Sequence, residues 1–313
     1  MEGEREGRRL LAVHQGALGD IVLTFPTLTL LRERFDRVDL ICRGEVGRLA
    51  VHLGVADTAI STESAAFASL YGQPSGDMVR LIDHGGEVLL LSFSEALEEA
   101  VRKIAPGRIR RVPPRPDPEA PVHVAPWILS EVTAAGLLPP ETPAEPPVLP
   151  PRRFENGTAD PVVLHPGSGS PFKNWPLDRF LHLAGRLSAA GRQVVFLAGP
   201  AEAEQMEAVV GKGYGVRTFP ELTDLADWLA TVAGFIGNDS GVSHLAGYLG
   251  VPTVALFGPS NPRQWRPWGA RVSVVGPIGG FDCHPCFEKG NRECDHRGCL
   301  MGIDPDTLRG RLE

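Results

Sequence analysis

The sequence predicts two doubly wound α/β domains, and three observations carry that expectation. First, short continuous apolar runs alternate with helix-length segments through both halves of the chain. Runs of this kind are strands buried on both faces, as parallel sheets covered by helices require. Second, Leu137–Pro151 holds seven prolines. It can be neither helix nor central strand, and reads as an extended interdomain spacer. Third, 313 residues suit two domains at about 150 residues each. The expected organisation is a first domain over 1–138, a linker over 139–151 and a second domain over 152–313. In such sheets ligands bind beyond the carboxyl ends of the strands, so the natural site is a cleft between the domains.

The elements follow in order. Arg9–His14 is a first strand, and Leu18–Phe35 has a helix pattern with Pro26 as an awkward interior residue. Asp36–Cys42 is a strand, Glu45–Leu53 a helix and Glu87–Leu91 a buried strand. Residues 57–85 give no clear pattern. Ser94 caps a helix that runs to Lys103. In the second half Pro161–His165 is a strand, and Pro176–Ala190 a helix with proline in its first turn. Gln193–Ala198, Phe235–Gly237 and Thr253–Phe257 are strands. Ala201–Val210, Leu222–Ala233 and Val242–Leu249 are helices.

Composition excludes several classes. Apolar residues are 42% and charged residues 22%, which rules out a wholly disordered chain. No apolar run is long enough to span a membrane. The apolar run after the N-terminus holds His14, Gln15 and Asp20 and ends in no small-residue cleavage site, so it reads as domain and not as secretory signal. A net charge of −7 argues against nucleic acid as a partner. Five cysteines are too few for a disulfide scaffold, and the expected compartment is the cytoplasm. Only four of the 31 basic residues are lysines, so each lysine is worth locating.

The chemistry should sit at the strand-to-helix junctions. His14-Gln-Gly16-Ala-Leu-Gly19-Asp20 lacks the G-x-G-x-x-G spacing of a nicotinamide-type fingerprint. Gly16 and Gly19 let the backbone approach a ligand, and Asp20 is either a helix cap or a functional carboxylate. His165-Pro-Gly167-Ser-Gly169 leads to Lys173, a point charge suited to phosphate. Trp175 beside it reads as core packing. Gly237-Asn-Asp239-Ser240-Gly241 opens a helix whose free N–H groups and dipole favour an anion. His244 follows one turn later. A carboxylate repels diphosphate, which assigns Asp239 to a sugar hydroxyl or to backbone. Phe257-Gly-Pro-Ser260-Asn-Pro is a tight turn that either walls the pocket or serves only as a turn.

These segments together resemble glycosyltransferase family 9, the heptosyltransferases of lipopolysaccharide core assembly. The likeness rests on Gly16-Ala-Leu-Gly-Asp20 with Ile-Val-Leu-Thr-Phe-Pro26, on His165-Pro-Gly167 with Lys173-Asn-Trp-Pro176, and on Gly237-Asn-Asp239-Ser-Gly241 with His244-Leu-Ala246 and Gly250–Pro259. Residues 57–130 carry little of it. The resemblance implies a GT-B architecture of two Rossmann-like domains facing a central cleft. It implies an inverting enzyme that needs no catalytic metal and moves heptose from ADP-heptose to a lipopolysaccharide core acceptor. Asp20 matches the family's general base, Lys173 its donor-phosphate lysine, and Asp239, Ser240, Gly241 and His244 its donor contacts. Gly16, Gly19 and Gly167 are expected near the ligands. The family often carries a further acidic residue before the helix that starts near 241. Glu221 is nearest, but its spacing does not fit.

The physics agrees with those roles. An attacking hydroxyl must lose a proton, which a carboxylate can accept. A departing diphosphate gains charge, which Lys173, a helix N-terminus and glycine N–H groups can stabilise. Two other functions stay open: a nucleotide-sugar epimerase or hydrolase on the same fold, and a nucleotide-sugar-binding protein without catalysis. Asp20 weighs against the last, because binding alone does not need it.

Two features lie outside these junctions. Arg102, Lys103, Arg108, Arg110, Arg111 and Arg115 form a run with no acidic residue among them. It reads either as a solvated face or as a basic rim for an anionic glycolipid acceptor, with peripheral contact at the inner face of the inner membrane. Cys283-x2-Cys286-x7-Cys294-x4-Cys299 offers four sulfurs for a structural zinc. Reduced thiols and disulfides are the other readings.

Overall fold

The computed structural model describes residues 7–150, 160–199, 202–276, 286, 294, 297–308 and 310–312. The chain divides into two compact units. The first runs up to Asp117 and adds Val124–Pro147, and the second is Pro118–His123 with Val148 onward. The division falls inside the proline run 139–151, and the short stretch 118–123 goes with the second unit.

The first unit is built on five parallel strands: β1 (Arg9–His14), β2 (Arg37–Cys42), β3 (Thr58–Ser61), β4 (Glu87–Leu91) and β5 (Ile109–Val112). Their order is β3-β2-β1-β4-β5. The chain therefore builds outward from β1 to one side, then crosses to the other. Leu10, Leu11, Ala12 and Val13 on β1 and Val88, Leu89, Leu90 and Leu91 on β4 are all buried. That burial on both faces is why these strands read as unbroken apolar runs.

The expected helix 18–35 is two helices, Leu18–Val22 and Phe25–Arg34. Pro26 has no N–H to donate and cannot sit in a helix interior. The break at Leu23 and Thr24 moves it into a first turn, where that N–H would lack a partner anyway. Ser94 caps the helix Glu95–Arg102 as expected, its Oγ accepting the N–H of Leu97 at 3.2 Å. Residues 57–85 form β3 and the short helices Ala65–Ala68 and Gly76–Ile82.

The second unit holds six parallel strands: β6 (Val162–His165), β7 (Val194–Leu197), β8 (Gly215–Arg217), β9 (Gly234–Asn238), β10 (Thr253–Leu256) and β11 (Val272–Val275). The order β11-β10-β9-β6-β7-β8 again reverses direction beside the first strand. Its core gathers Val162, Leu164, Phe180, Leu183, Phe196, Ile236 and Leu256 around Trp175, which is 1% exposed. Trp175 is thus core, stacked edge-on to Phe180 at 4.9 Å. Pro176 stands just outside the helix Leu177–Ala189 as its cap position, one residue before its expected place.

Among the described residues, no helix is long and apolar enough to cross a membrane.

Candidate functional site

In a doubly wound sheet the crevice opens where the strand order reverses, beyond the carboxyl ends of the two central strands. In the second unit those strands are β6 and β9. The loop after β6 carries Gly167 and Lys173, and the turn after β9 carries Asp239, Ser240 and Gly241. The two sequence segments meet here. Nζ of Lys173 donates to Oδ2 of Asp239 at 2.7 Å. The hydroxyl of Ser260, from the turn after β10, donates to the same oxygen at 2.5 Å. Nε2 of His244 stands 3.7 Å from Oδ1.

The Asp239 side chain is 5% exposed. Burial pushes its carboxyl pKa up, but the His244 ring and the Lys173 ammonium outweigh that and hold it below the usual carboxylate range. Asp239 is therefore a buried anion that holds a lysine. Its Oδ2 accepts two side-chain donors, Lys173 and Ser260, partners that the sequence reading did not assign to it.

Asn238, the last residue of β9 and fully buried, fixes the loop that carries the lysine. Its Oδ1 accepts the N–H of Trp175 at 2.9 Å, and its Nδ2 donates to Pro166 O at 2.7 Å. Ser168 adds a bond to Asn174 Oδ1 at 2.6 Å. Lys173 is thus presented by a tethered loop.

Ser240 caps the helix Gly241–Tyr248. Its Oγ accepts the N–H of Ser243 at 3.3 Å and lies 3.1 Å from the Ser243 hydroxyl. The side chain expected to touch the donor is thus engaged in capping. The first-turn N–H groups at Gly241 and Val242 lack intrahelical partners by helix geometry and carry the positive end of the dipole. Nδ1 of His244 is buried and has no hydrogen-bond partner among the described residues.

Sequence reasoning missed Glu202. This carboxylate is 6% exposed and follows β7. Its Oε2 accepts the N–H of Gly199 at 2.8 Å. It packs against Gly167, where an added Cβ would lie 2.4 Å from Oε1. A side chain at 167 would have to displace the Glu202 carboxylate. Gly169 has open space beside it. Asn238 and Ser260 were also missed as positioning residues. Nothing in their spacing distinguishes them from ordinary turn residues.

In the first unit the reversal lies between β1 and β4. Gly16 donates its N–H to Nδ1 of His14 at 3.0 Å, and Oδ2 of Asp20 accepts the N–H of Ala17 at 2.9 Å. Asp20 therefore caps the helix Leu18–Val22 through one oxygen. Gly19 lies inside that helix. A Cβ on Gly16 would lie 2.6 Å from His14 Cε1 and 2.7 Å from Asp20 Cβ. Burial lowers the His14 pKa to about 4, against the opposing pull of Asp20. The ring is neutral near pH 7.

The arginine run is mostly paired. Arg102 and Arg111 bond Glu98, Arg108 bonds Asp83 at 2.6 Å, and Arg110 lies 3.4 Å from Glu87. Arg111 also donates to the carbonyls of Ser92 and Phe93. Arg115 stacks over Phe93 at 5.7 Å. Three carboxylates, Glu98, Asp83 and Glu87, thus meet four of the six cations, and the stretch keeps a positive excess around β5 among the described residues.

Of the four cysteines, Cys283 lies outside the described residues. Cys286 is buried, and its N–H donates to Pro259 O at 3.0 Å. Among the described residues, no group of three or more His, Cys, Asp or Glu is placed to hold a metal.

Fold and site together define a doubly wound α/β protein with a buried Lys–Asp pair and a helix N-terminus at a topological switch point. Residues 148–296 match the model of glycosyltransferase family 9 (heptosyltransferase). Lipopolysaccharide heptosyltransferase 3 of Escherichia coli K12 is 34% identical over 122 residues, covering 36% of this chain and 34% of that protein. Lipooligosaccharide heptosyltransferase 2 of Haemophilus influenzae is 27% identical over 51% of this chain and 50% of its own length. The matched stretches thus span about a third to a half of these relatives. The crystal structure of a family 9 glycosyl transferase from Veillonella parvula superposes with a TM-score of 0.75 at 22% identity, over 96% of this chain and 95% of that one. The fold is accordingly the GT-B fold of that family.

Proposed function

We propose that the chain is an inverting glycosyltransferase that moves heptose from ADP-heptose to a lipopolysaccharide core acceptor. The observation that carries this reading is the Lys173 ammonium, anchored by Asp239 beside the N-terminus of the helix Gly241–Tyr248. A cation and a helix N-terminus at a switch point suit the diphosphate of a nucleotide sugar. The match of residues 148–296 to the family 9 model and the likeness to lipopolysaccharide heptosyltransferases support heptose as the sugar.

Each residue then has a role. Lys173 pairs with the diphosphate and stabilises the charge it gains as the sugar leaves. The N–H groups of Gly241 and Val242 add to that field. His244 supplies Nδ1, a buried atom without a hydrogen-bond partner among the described residues, to the donor. Asp239 acts through Lys173, with Ser240 and Ser260 holding the turns around it. Glu202, a buried carboxylate beside Gly167, suits a vicinal diol of the nucleotide ribose, the use to which acidic residues are put at such crevices. With these groups in place the protein itself supplies the positive charge for the departing diphosphate, and we assign no metal to the step.

Asp20 is the general base for the acceptor hydroxyl. Its Oδ2 is engaged by Ala17, which orients the carboxylate and leaves Oδ1 to take the proton. Displacement from the face opposite the leaving group inverts the anomeric centre. The acceptor in this reading is an anionic glycolipid at the cytoplasmic face of the inner membrane. The test is a transfer assay with ADP-heptose and lipopolysaccharide core acceptors on wild type and Asp20→Asn. Transfer by wild type with at least a hundredfold loss in the variant supports the reading. Donor binding with no transfer to any core acceptor returns the binding-protein alternative.

A further inference from the structure

The first unit carries a cavity of about 420 Å³ that none of the roles above uses. Arg8 and Arg9 line it at the start of β1, His84 and Glu87 at the start of β4, Arg34 at the end of the helix Phe25–Arg34, and Arg110 on β5. It therefore sits at the amino-terminal edge of the sheet. β1 is six residues long, which puts the cavity roughly 17 Å from the edge that holds Gly16 and Asp20.

Four arginines and one glutamate are among its lining residues. Glu87 is 3.4 Å from Arg110, and Arg9 is 3.6 Å from Asp39. Asp39 is itself gripped by Arg37 at 2.9 Å, so Arg9 is only partly neutralised. Among the described residues, no carboxylate pairs with the guanidinium of Arg8 or Arg34. Asp36 stands at the edge, its Oδ2 accepting the N–H of Arg8 at 2.6 Å, and among the described residues the arginines still leave a positive excess.

Its walls also hold two polar atoms closed off from solvent and without a hydrogen-bond partner among the described residues, Nε of Arg9 and Nε2 of His84, while Oε2 of Glu87 meets Arg110 only at the long 3.4 Å. Nδ1 of His84 accepts the N–H of Gly86 at 2.9 Å, so a neutral ring carries its proton on Nε2. Burial, then the charge of Arg9, lowers the His84 pKa and keeps the ring neutral. Native proteins rarely leave such groups unmet. A small rotation of the ring or the guanidinium presents these atoms to an occupant.

We propose that this cavity binds a phosphomonoester that also carries a hydroxyl group. Arg8, Arg9 and Arg34 take the phosphate oxygens with the help of the His84 N–H, as guanidiniums do in phosphate recognition. Glu87 accepts from the hydroxyl. The site is independent of the transfer reaction proposed above.

The test follows the imidazole signals of the full chain by NMR, with His84 assigned through His84→Gln. Glycerol 3-phosphate is the probe, and inorganic phosphate the comparison. The His84 signals should shift saturably, with tighter binding of glycerol 3-phosphate than of phosphate. The apparent Kd should rise at least tenfold in Arg8→Gln/Arg34→Gln, while the other histidine signals and the melting temperature stay as in wild type. Vesicles of phosphatidylglycerol form a second arm. If they perturb the same signals in wild type and not in the double variant, the phosphate comes from a lipid headgroup. If they leave the signals unchanged while glycerol 3-phosphate shifts them, it comes from a soluble molecule. His84 signals that stay fixed across the titration, or shift equally in the double variant, overturn the proposal.

Discussion

The ammonium of Lys173 and the carboxylate of Asp239 lie 2.7 Å apart, although 66 positions separate them in the chain. The pair joins the loop after β6 to the turn after β9, and so closes the switch point of the second sheet. Breaking such a pair by removing one partner leaves the other charge uncompensated, which costs about 3–5 kcal/mol when both are buried. Lys173 is 19% exposed, so its partner variants fall at the lower end.

The pair separates stability from binding. Asp239→Ala should lower the unfolding free energy by about 3 kcal/mol. Lys173→Met/Asp239→Asn, with no net charge left in the site, should recover most of that loss in urea unfolding. It should not recover ADP-heptose binding by calorimetry. A double variant no more stable than Asp239→Ala would mean that the pair does not hold the loops together.

Acid sensitivity follows from two buried histidines. Burial lowers the pKa of His14 and of His123 to about 4. A folded-state value below the unfolded 6.5 means that the unfolded chain takes up these protons first. Their contribution is therefore full above about pH 6.5 and is lost as pH falls toward 4. Each is worth on the order of 3 kcal/mol over that window, at 1.36 kcal/mol per pKa unit. Asp239 has the same sign at lower pH, since its depressed value preserves stability until the carboxylate itself is protonated. Urea titrations from pH 7 to 4 should show the slope, and His14→Gln should remove about one proton from it. An unchanged slope in that variant contradicts the assignment of a neutral buried ring.

Two glycines should not tolerate a methyl group. Gly16→Ala puts a Cβ against His14 and Asp20, and Gly167→Ala puts one against the Glu202 carboxylate. Overpacking of this kind costs about 1–3 kcal/mol. The two variants should differ in function. Gly16→Ala should depress kcat with donor affinity retained, and Gly167→Ala should raise the Kd for the nucleotide sugar. Steady-state kinetics beside calorimetry separates them.

Asp20→Asn should leave the fold intact, because the amide oxygen can still accept the N–H of Ala17. The melting temperature should move by less than about 2 °C, and donor affinity should hold. The transfer rate should fall by about 10²–10⁴, the usual worth of a positioned base. A rate within threefold of wild type removes Asp20 from the chemistry.

Much of this architecture was legible because central parallel strands are unbroken apolar runs. β1, β2, β4, β6, β7, β9 and β10 lie where their side chains predict. The strands not read from sequence, β3, β5, β8 and β11, are the four sheet edges. Ile109-Arg-Arg-Val112 and Gly215-Val-Arg217 are short and half exposed, and carry no apolar signature to read. The site divided in a similar way. Glycines after strands mark where a backbone must come close, which located Gly16, Gly167, Lys173 and Asp239. What Asp239 does was not legible, because its partners Lys173 and Ser260 reach it only through the folded sheet. Glu202 was invisible for the same reason: its significance is its packing against Gly167, 35 positions earlier.

The central claim is that Lys173 binds the diphosphate of an ADP-activated heptose. The most direct measurement is calorimetric titration of the full chain with ADP-heptose, beside UDP and GDP sugars, on wild type and Lys173→Ala. The account predicts selective binding of ADP-heptose, weakened about 10–100-fold in the variant, as loss of a charge-assisted contact of about 1.5–3 kcal/mol requires. Absence of binding by any nucleotide sugar, or equal affinity in Lys173→Ala, would contradict it.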